Sequence, residues 1–116
     1  MLLAIERREY LRITLTGKID IRSKGVTEPL TGLAVNISKG GAAFYSENLF
    51  EIKDELLLHI FFKDDSGEKF EEIAGKVRWI KPVGKIFAIG VQFKEISRVT
   101  HPLIYSYIEV NDSVPI

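Results

Sequence analysis

Between positions 11 and 22 the chain alternates: Leu11, Ile13, Leu15, Ile19 and Ile21 are apolar, and Arg12, Thr14, Thr16, Lys18, Asp20 and Arg22 between them are polar. A period of two belongs to a half-buried β-strand, whose successive side chains point to opposite faces. Five further strand-like runs follow. Over 30–38 it predicts Leu33, Val35 and Ile37 buried, with Asn36 and Ser38 on the other side; 42–46 is a short strand. Over 55–63 both faces are apolar, Leu56, Leu58, Ile60 and Phe62 on one and Leu57, His59 and Phe61 on the other, so both should be covered. The expected covers are the barrel interior and a C-terminal helix, with a partner subunit, and so a homodimer, as the alternative. A strand over 69–81 should point Ile73, Gly75, Val77 and Trp79 inward, and the last should alternate Phe87, Ile89, Val91 and Phe93 with Ala88, Gly90 and Gln92.

Turns punctuate the runs at Ser23-Lys24-Gly25, Gly40-Gly41, Asp64 to Glu68 and Pro82 to Lys85. After Glu95 the period changes, and Val99, Leu103, Ile104, Tyr107 and Ile108 fall at helical spacing. The spacing predicts a helix over 97–110, with Ser97 or Thr100 as N-cap and Pro102 in its first turn. A frayed tail is expected after it. Strands joined by short polar turns, with one terminal helix, imply an all-β fold: a small closed antiparallel barrel plus a C-terminal α-helix, as one domain over 1–116.

Equal numbers of basic and acidic residues give zero net charge, which argues against a general nucleic-acid or anionic-membrane binder. The charge is uneven, however. Arg7, Arg8, Arg12, Lys18, Arg22 and Lys24 face only Glu6, Glu9 and Asp20 in the first 24 residues, leaving a local excess of +3. Such a patch on a neutral body suits a small dianion. The absence of cysteine excludes disulfides and thiolate metal sites and agrees with a reducing compartment. No apolar run is long enough to cross a bilayer, and Met1 to Ile5 is too short for a signal-peptide core. The expectation is a soluble cytoplasmic protein without membrane insertion.

Two clusters carry the candidate chemistry. Arg7, Arg8 and Arg12 bring three guanidinium groups together on an N-terminal arm, 1–12, expected to be flexible. Each planar fork can pair two acceptors at once, on a phosphate or on the O6/N7 edge of guanine. Asn36, Ser38, Gly40 and Gly41 place two small polar side chains before a double glycine, which permits a tight turn and close backbone approach by a ligand. Arg8 and Arg12 stand in RxxxR spacing, and Asn36, Ser38 and Gly41 in [D/N]xSxxG spacing. Together they resemble the two signature motifs of the PilZ domain family, the bacterial receptors for cyclic di-GMP. Gly75 to Trp79 and Ile89 to Phe93 are similar to later strands of that family, so the resemblance covers nearly the whole chain.

The resemblance implies a six-stranded barrel whose RxxxR arm wraps over a ligand resting on the [D/N]xSxxG ledge. Arg8 and Arg12 would grip guanine edges and phosphate, Asn36 and Ser38 would hydrogen-bond base and phosphate, and Gly41 would keep the floor open. Arg7 before the motif accompanies, in this family, binding of two stacked ligand molecules. The implied role is a second-messenger receptor without cofactor, passing its signal to a downstream protein partner. Two alternatives stay open: an adaptor that binds protein without nucleotide, and an oligonucleotide-binding barrel, against which the inward placement of Trp79, Phe87 and Phe93 weighs. Catalysis finds no support. His59 and His101 are far apart in sequence, Ser38 has no recognisable base, and Glu71-Glu72 reads as a solvated strand edge.

Overall fold

The computed structural model describes residues 13–23, 27–64 and 67–112. Six strands, β1 (Ile13–Ser23), β2 (Leu30–Ile37), β3 (Gly41–Ser46), β4 (Glu55–Asp64), β5 (Gly67–Val83) and β6 (Ile86–Phe93), precede one helix, α1 (Pro102–Asp112). The strands pair antiparallel in the order β1-β2-β3-β6-β5-β4, and β1 returns to β4 to close the barrel. Closure gives each described strand a partner on both sides, so none of them is an edge. The interior holds one apolar core, including Ile19 and Ile21 of β1, Phe44 of β3, Leu56, Leu58 and Ile60 of β4, Val77 of β5 and Ile89 of β6. Burying each of the aliphatic chains stabilises the fold by roughly 1.5–3 kcal/mol relative to exposure.

β4 and β5 pair without interruption from Glu55↔Lys76 to Asp64↔Gly67. Elsewhere the ladder is broken three times: between Thr14 and Gly17, between Ala34 and Asn36, and between Val77 and Trp79. Gly17, at φ 138°, supplies backbone geometry that a side chain would oppose. Each bulge adds a residue to one strand and so reverses which face the following side chains take. Two expectations fail for this reason. Leu33 lies outside and is 59% exposed, because the irregularity at Val35 offsets the two halves of β2; only Ile37 of the predicted trio is fully buried. Trp79 likewise points outward, 39% exposed, because Arg78 is the extra residue between Val77↔Val91 and Trp79↔Gly90.

The helix starts later than its periodicity implies, at Pro102, and seats Ile104 and Ile108 in the barrel core. Ser97 and Thr100 do not cap it. The Ser97 hydroxyl accepts from the backbone N–H of Val99 and of Thr100, so it caps the short turn before the helix. The helix N-terminus is instead satisfied from β5: the Glu71 carboxylate accepts from the backbone N–H groups of Leu103 (2.7 Å) and Ile104 (2.8 Å). A negative group there also meets the positive end of the helix dipole. Glu72, its neighbour, pairs with His59 Nε2 at 2.8 Å. Neither carboxylate is merely solvated.

The outer face of β4 differs from expectation as well. The helix docks on β1 and β5 through the core and leaves that face open, so Leu57 is 40% and Phe70 52% exposed. His59 stacks on Phe70, with ring centroids 4.7 Å apart, and Lys18 lies over Phe61. No helix among the described residues is long and apolar enough to cross a membrane.

Candidate ligand-binding site

The connection between β2 and β3 is a tight turn tied by the Ser38 N–H to the Gly41 carbonyl, 2.8 Å. Ser38 is 8% exposed. Its hydroxyl accepts from the Gly40 N–H at 3.2 Å and reaches the Gly41 carbonyl only at 3.5 Å. A hydroxyl offers one proton and two lone pairs. The proton is therefore weakly committed, at the outer limit of hydrogen-bond distance. Gly41 serves packing: a Cβ there would stand 2.0 Å from the Val91 carbonyl oxygen, so the residue is set by the approach of β3 to β6. Among the described residues the glycines with positive φ are Gly17, Gly67 and Gly84, so the double glycine does not use that freedom.

Cross-strand register sets what shares a face with this turn. Asn36 of β2 pairs with Ala43 of β3, Ala43 with Gly90 of β6, and Gly90 with Trp79 of β5. Phe44 and Ile89 point into the core, so Ala43 and Gly90 face outward. The row is thus a shelf with a polar amide at one end, a floor of two small buried residues in the middle and a partly exposed indole at the other end. The indole lies against the floor, since a Cβ on Gly90 would meet its Nε1 and Cε2 at 2.1 Å. The bulge at Arg78 is what brings the ring there.

Beside the turn runs an open groove of about 470 Å³ whose lining includes Lys39, Gly40, Gln92, Lys94 and Tyr105. Lys39 Nζ sits 4.7 Å from the centre of the Tyr105 ring, and the Arg98 guanidinium 5.5 Å from it. Arg98 is held by Glu109 at 2.8 Å, which pushes its pKa further above the ordinary value. Lys94 bonds Glu55, whose carboxyl is held below its usual range by that hydrogen bond and charge. Lys39 pairs with no carboxylate among the described residues.

Asn36, Ser38, Gly40 and Gly41 are thus brought together at one end of the shelf, whereas Arg7, Arg8 and Arg12 lie outside the described residues. Sequence reasoning missed Trp79, which it placed in the core, and with that the ring placement offered against nucleobase stacking loses its force. It also missed Lys39 and Tyr105. The available signal was Gly90, a lone glycine inside an apolar strand, which marks a close approach by another group.

The chain matches the family model described as the PilZ domain over residues 6–109. No curated protein matches it in sequence. Among solved structures it is similar to the inhibitor of motility MotI/DgrA of Bacillus subtilis, with TM-score 0.72 and 23% identity over 93% of this chain and 52% of that one. It is also similar to the PilZ domain of YcgR from Escherichia coli, solved with c-di-GMP, at TM-score 0.69 and 14% identity over 92% of both chains. The MrkH–c-di-GMP complex of K. pneumonia gives 0.65 and 17%, over 90% of this chain and 52% of that one. The chain therefore spans about half the length of the MotI/DgrA and MrkH chains.

Proposed function

The chain belongs to the PilZ domain family, and from that premise we propose that it is a non-catalytic receptor for cyclic di-GMP, which it binds on the outward shelf. The observation that carries this reading is the row Asn36, Ala43, Gly90 and Trp79, continuous with Ser38 in the neighbouring turn. A guanine stacks on the exposed side of the Trp79 indole, which itself rests on the small-residue floor, while Asn36 meets its edge. Ser38 exchanges its long bond to the Gly41 carbonyl for a phosphate oxygen. Arg8 and Arg12 close from the N-terminal side, reading guanine O6/N7 and phosphate, with Arg7 as a further cation.

These assignments are of the right order of magnitude. A micromolar complex requires about 8 kcal/mol. A bidentate arginine–guanine pair contributes about 1–3 kcal/mol of discrimination, and stacking one base on an aromatic ring about 1–3 kcal/mol. Ordering of the arginine arm on binding offers the route to a downstream protein partner controlling motility, biofilm or exopolysaccharide output. The similarity to proteins solved with c-di-GMP supports the ligand.

Trp79 is the chain's one tryptophan, so its emission reports on the shelf directly. Titration with cyclic di-GMP should change that emission and release heat, and cyclic di-AMP should do neither. Arg8→Ala and Ser38→Ala should weaken binding by about tenfold or more, as loss of about 1.4 kcal/mol implies. Absence of heat with the wild-type protein would overturn the proposal.

A further inference from the structure

Lys39 occupies one of the three variable positions of the [D/N]xSxxG ledge, next to Ser38, yet its ammonium is spent on the face of Tyr105 in α1, 4.7 Å from the ring centre. The second cation at that ring, Arg98, is fixed by Glu109. Lys94, across the groove, is fixed by Glu55. Lys39 is therefore the cation at this end of the ledge that can change partner without breaking an ion pair among the described residues.

We infer that Lys39 is a shared cation for which the ligand phosphate and Tyr105 of α1 compete, so that nucleotide binding loosens the hold of the ledge on the helix. The inference rests on the reading of the shelf as the cyclic di-GMP site and deepens it by naming the regulated element. A charge-assisted hydrogen bond to phosphate is stronger than a cation–π contact at a half-exposed ring, so the ligand wins the competition. The lysine stem is long and flexible enough to swing from the groove to the neighbouring ledge. The competition also acts in reverse, since coupling between two binding events is reciprocal: whatever removes the ring from Lys39 releases the ammonium for phosphate.

This gives an expectation of unusual sign. Calorimetric titration with cyclic di-GMP at fixed ionic strength should show Lys39→Met binding about tenfold more weakly, the equivalent of one charge-assisted contact. Tyr105→Leu should bind about two- to fivefold more tightly, the equivalent of one exposed cation–π contact. In a Lys39→Met background the Tyr105→Leu gain should vanish, and Tyr105→Phe, which keeps the ring, should match wild type. Unchanged Trp79 emission in the free variants shows that the barrel is intact. As a measurement free of mutation, amide exchange of α1 in the wild-type protein should quicken when ligand is bound. If Tyr105→Leu binds as wild type or more weakly while Lys39 is present, or if α1 exchange is indifferent to bound ligand, the shared-cation inference fails alone. If the wild-type protein takes up no cyclic di-GMP, the reading of the shelf fails and the inference falls with it.

Discussion

The barrel wall formed by β4 and the first half of β5 and the wall formed by β2, β3, β6 and the second half of β5 are built on opposite plans. The first keeps one register throughout, with Leu56, Leu58 and Ile60 inside and Leu57, His59 and Phe61 outside. The second is offset by bulges at Val35 and Arg78, and its outward row is Asn36, Ala43, Gly90 and Trp79. Unbroken alternation maximises apolar burial and gives every side chain a face determined by its position. A bulge sacrifices ladder bonds and re-aims the side chains beyond it. In this molecule the candidate site lies where alternation fails. Both walls line the core, with Leu56, Leu58 and Ile60 from the first and Ile37, Phe44 and Ile89 from the second.

The sharpest way to break that contrast is to ask the same question of one glycine on each plan. At Gly41 a Cβ would meet the Val91 carbonyl oxygen at 2.0 Å, a backbone atom fixed in the β3–β6 ladder. At Gly75, which pairs with Leu56 of the regular wall, the nearest atoms are Cβ and Cγ2 of the Val91 side chain at 3.1 Å. Backbone cannot yield as a side chain can. Gly41→Ala should therefore lose roughly 3 kcal/mol and Gly75→Ala roughly 1 kcal/mol, near the two ends of the range for overpacking. Urea denaturation of both variants checks this. Equal losses would mean that the ledge is no more tightly built than the wall opposite.

The same contrast explains what could be read in advance. Strand number, barrel closure and a terminal helix follow from periodicity and turn residues, which are local properties. The clusters 7–12 and 36–41 could be singled out because arginine forks and a small-polar, double-glycine run are chemical signals that do not depend on register. Trp79 and Leu33 could not be placed. Each lies beyond or beside a bulge, and a bulge arises from pairing between strands distant in sequence. Glu71 was illegible for a related reason. Its role exists only because α1, thirty-odd residues later, brings two backbone N–H groups to it. A carboxylate's nearest sequence neighbours carry no trace of that.

Glu71 and Glu72 offer a smaller and more selective test, because they are adjacent on β5 yet belong to different plans of support. Glu71→Ala strips both acceptors from the half-buried N–H groups of Leu103 and Ile104. Loss of about 1–2 kcal/mol should follow, the usual cost of removing a helix cap. Glu72→Ala removes only an exposed contact to His59. Its loss should stay below about 1 kcal/mol. Thermal melts should order the two variants accordingly, and amide exchange at Ile104 should rise in the first and not in the second. The reverse order would show that the helix is held by its apolar face alone.

The smallest effect concerns the junction of the two plans, where Lys94, just past β6, bonds Glu55 at the start of β4. The hydrogen bond and the charge of Lys94 hold the Glu55 carboxyl below its ordinary value of 4.5. A carboxyl depressed in the folded state favours folding at pH above that ordinary value, and the contribution disappears as pH falls through the depressed folded value. Both partners are exposed, so salt should screen the pair. Wild-type and Glu55→Gln proteins should therefore differ slightly in urea midpoint at about pH 6 and low salt. They should converge on acidification, and the difference at about pH 6 should shrink near 1 M salt, where the Debye length is about 3 Å. A difference that instead grew on acidification would mean that the amide acts through the fold of the β4 entry and not through the charge it removes.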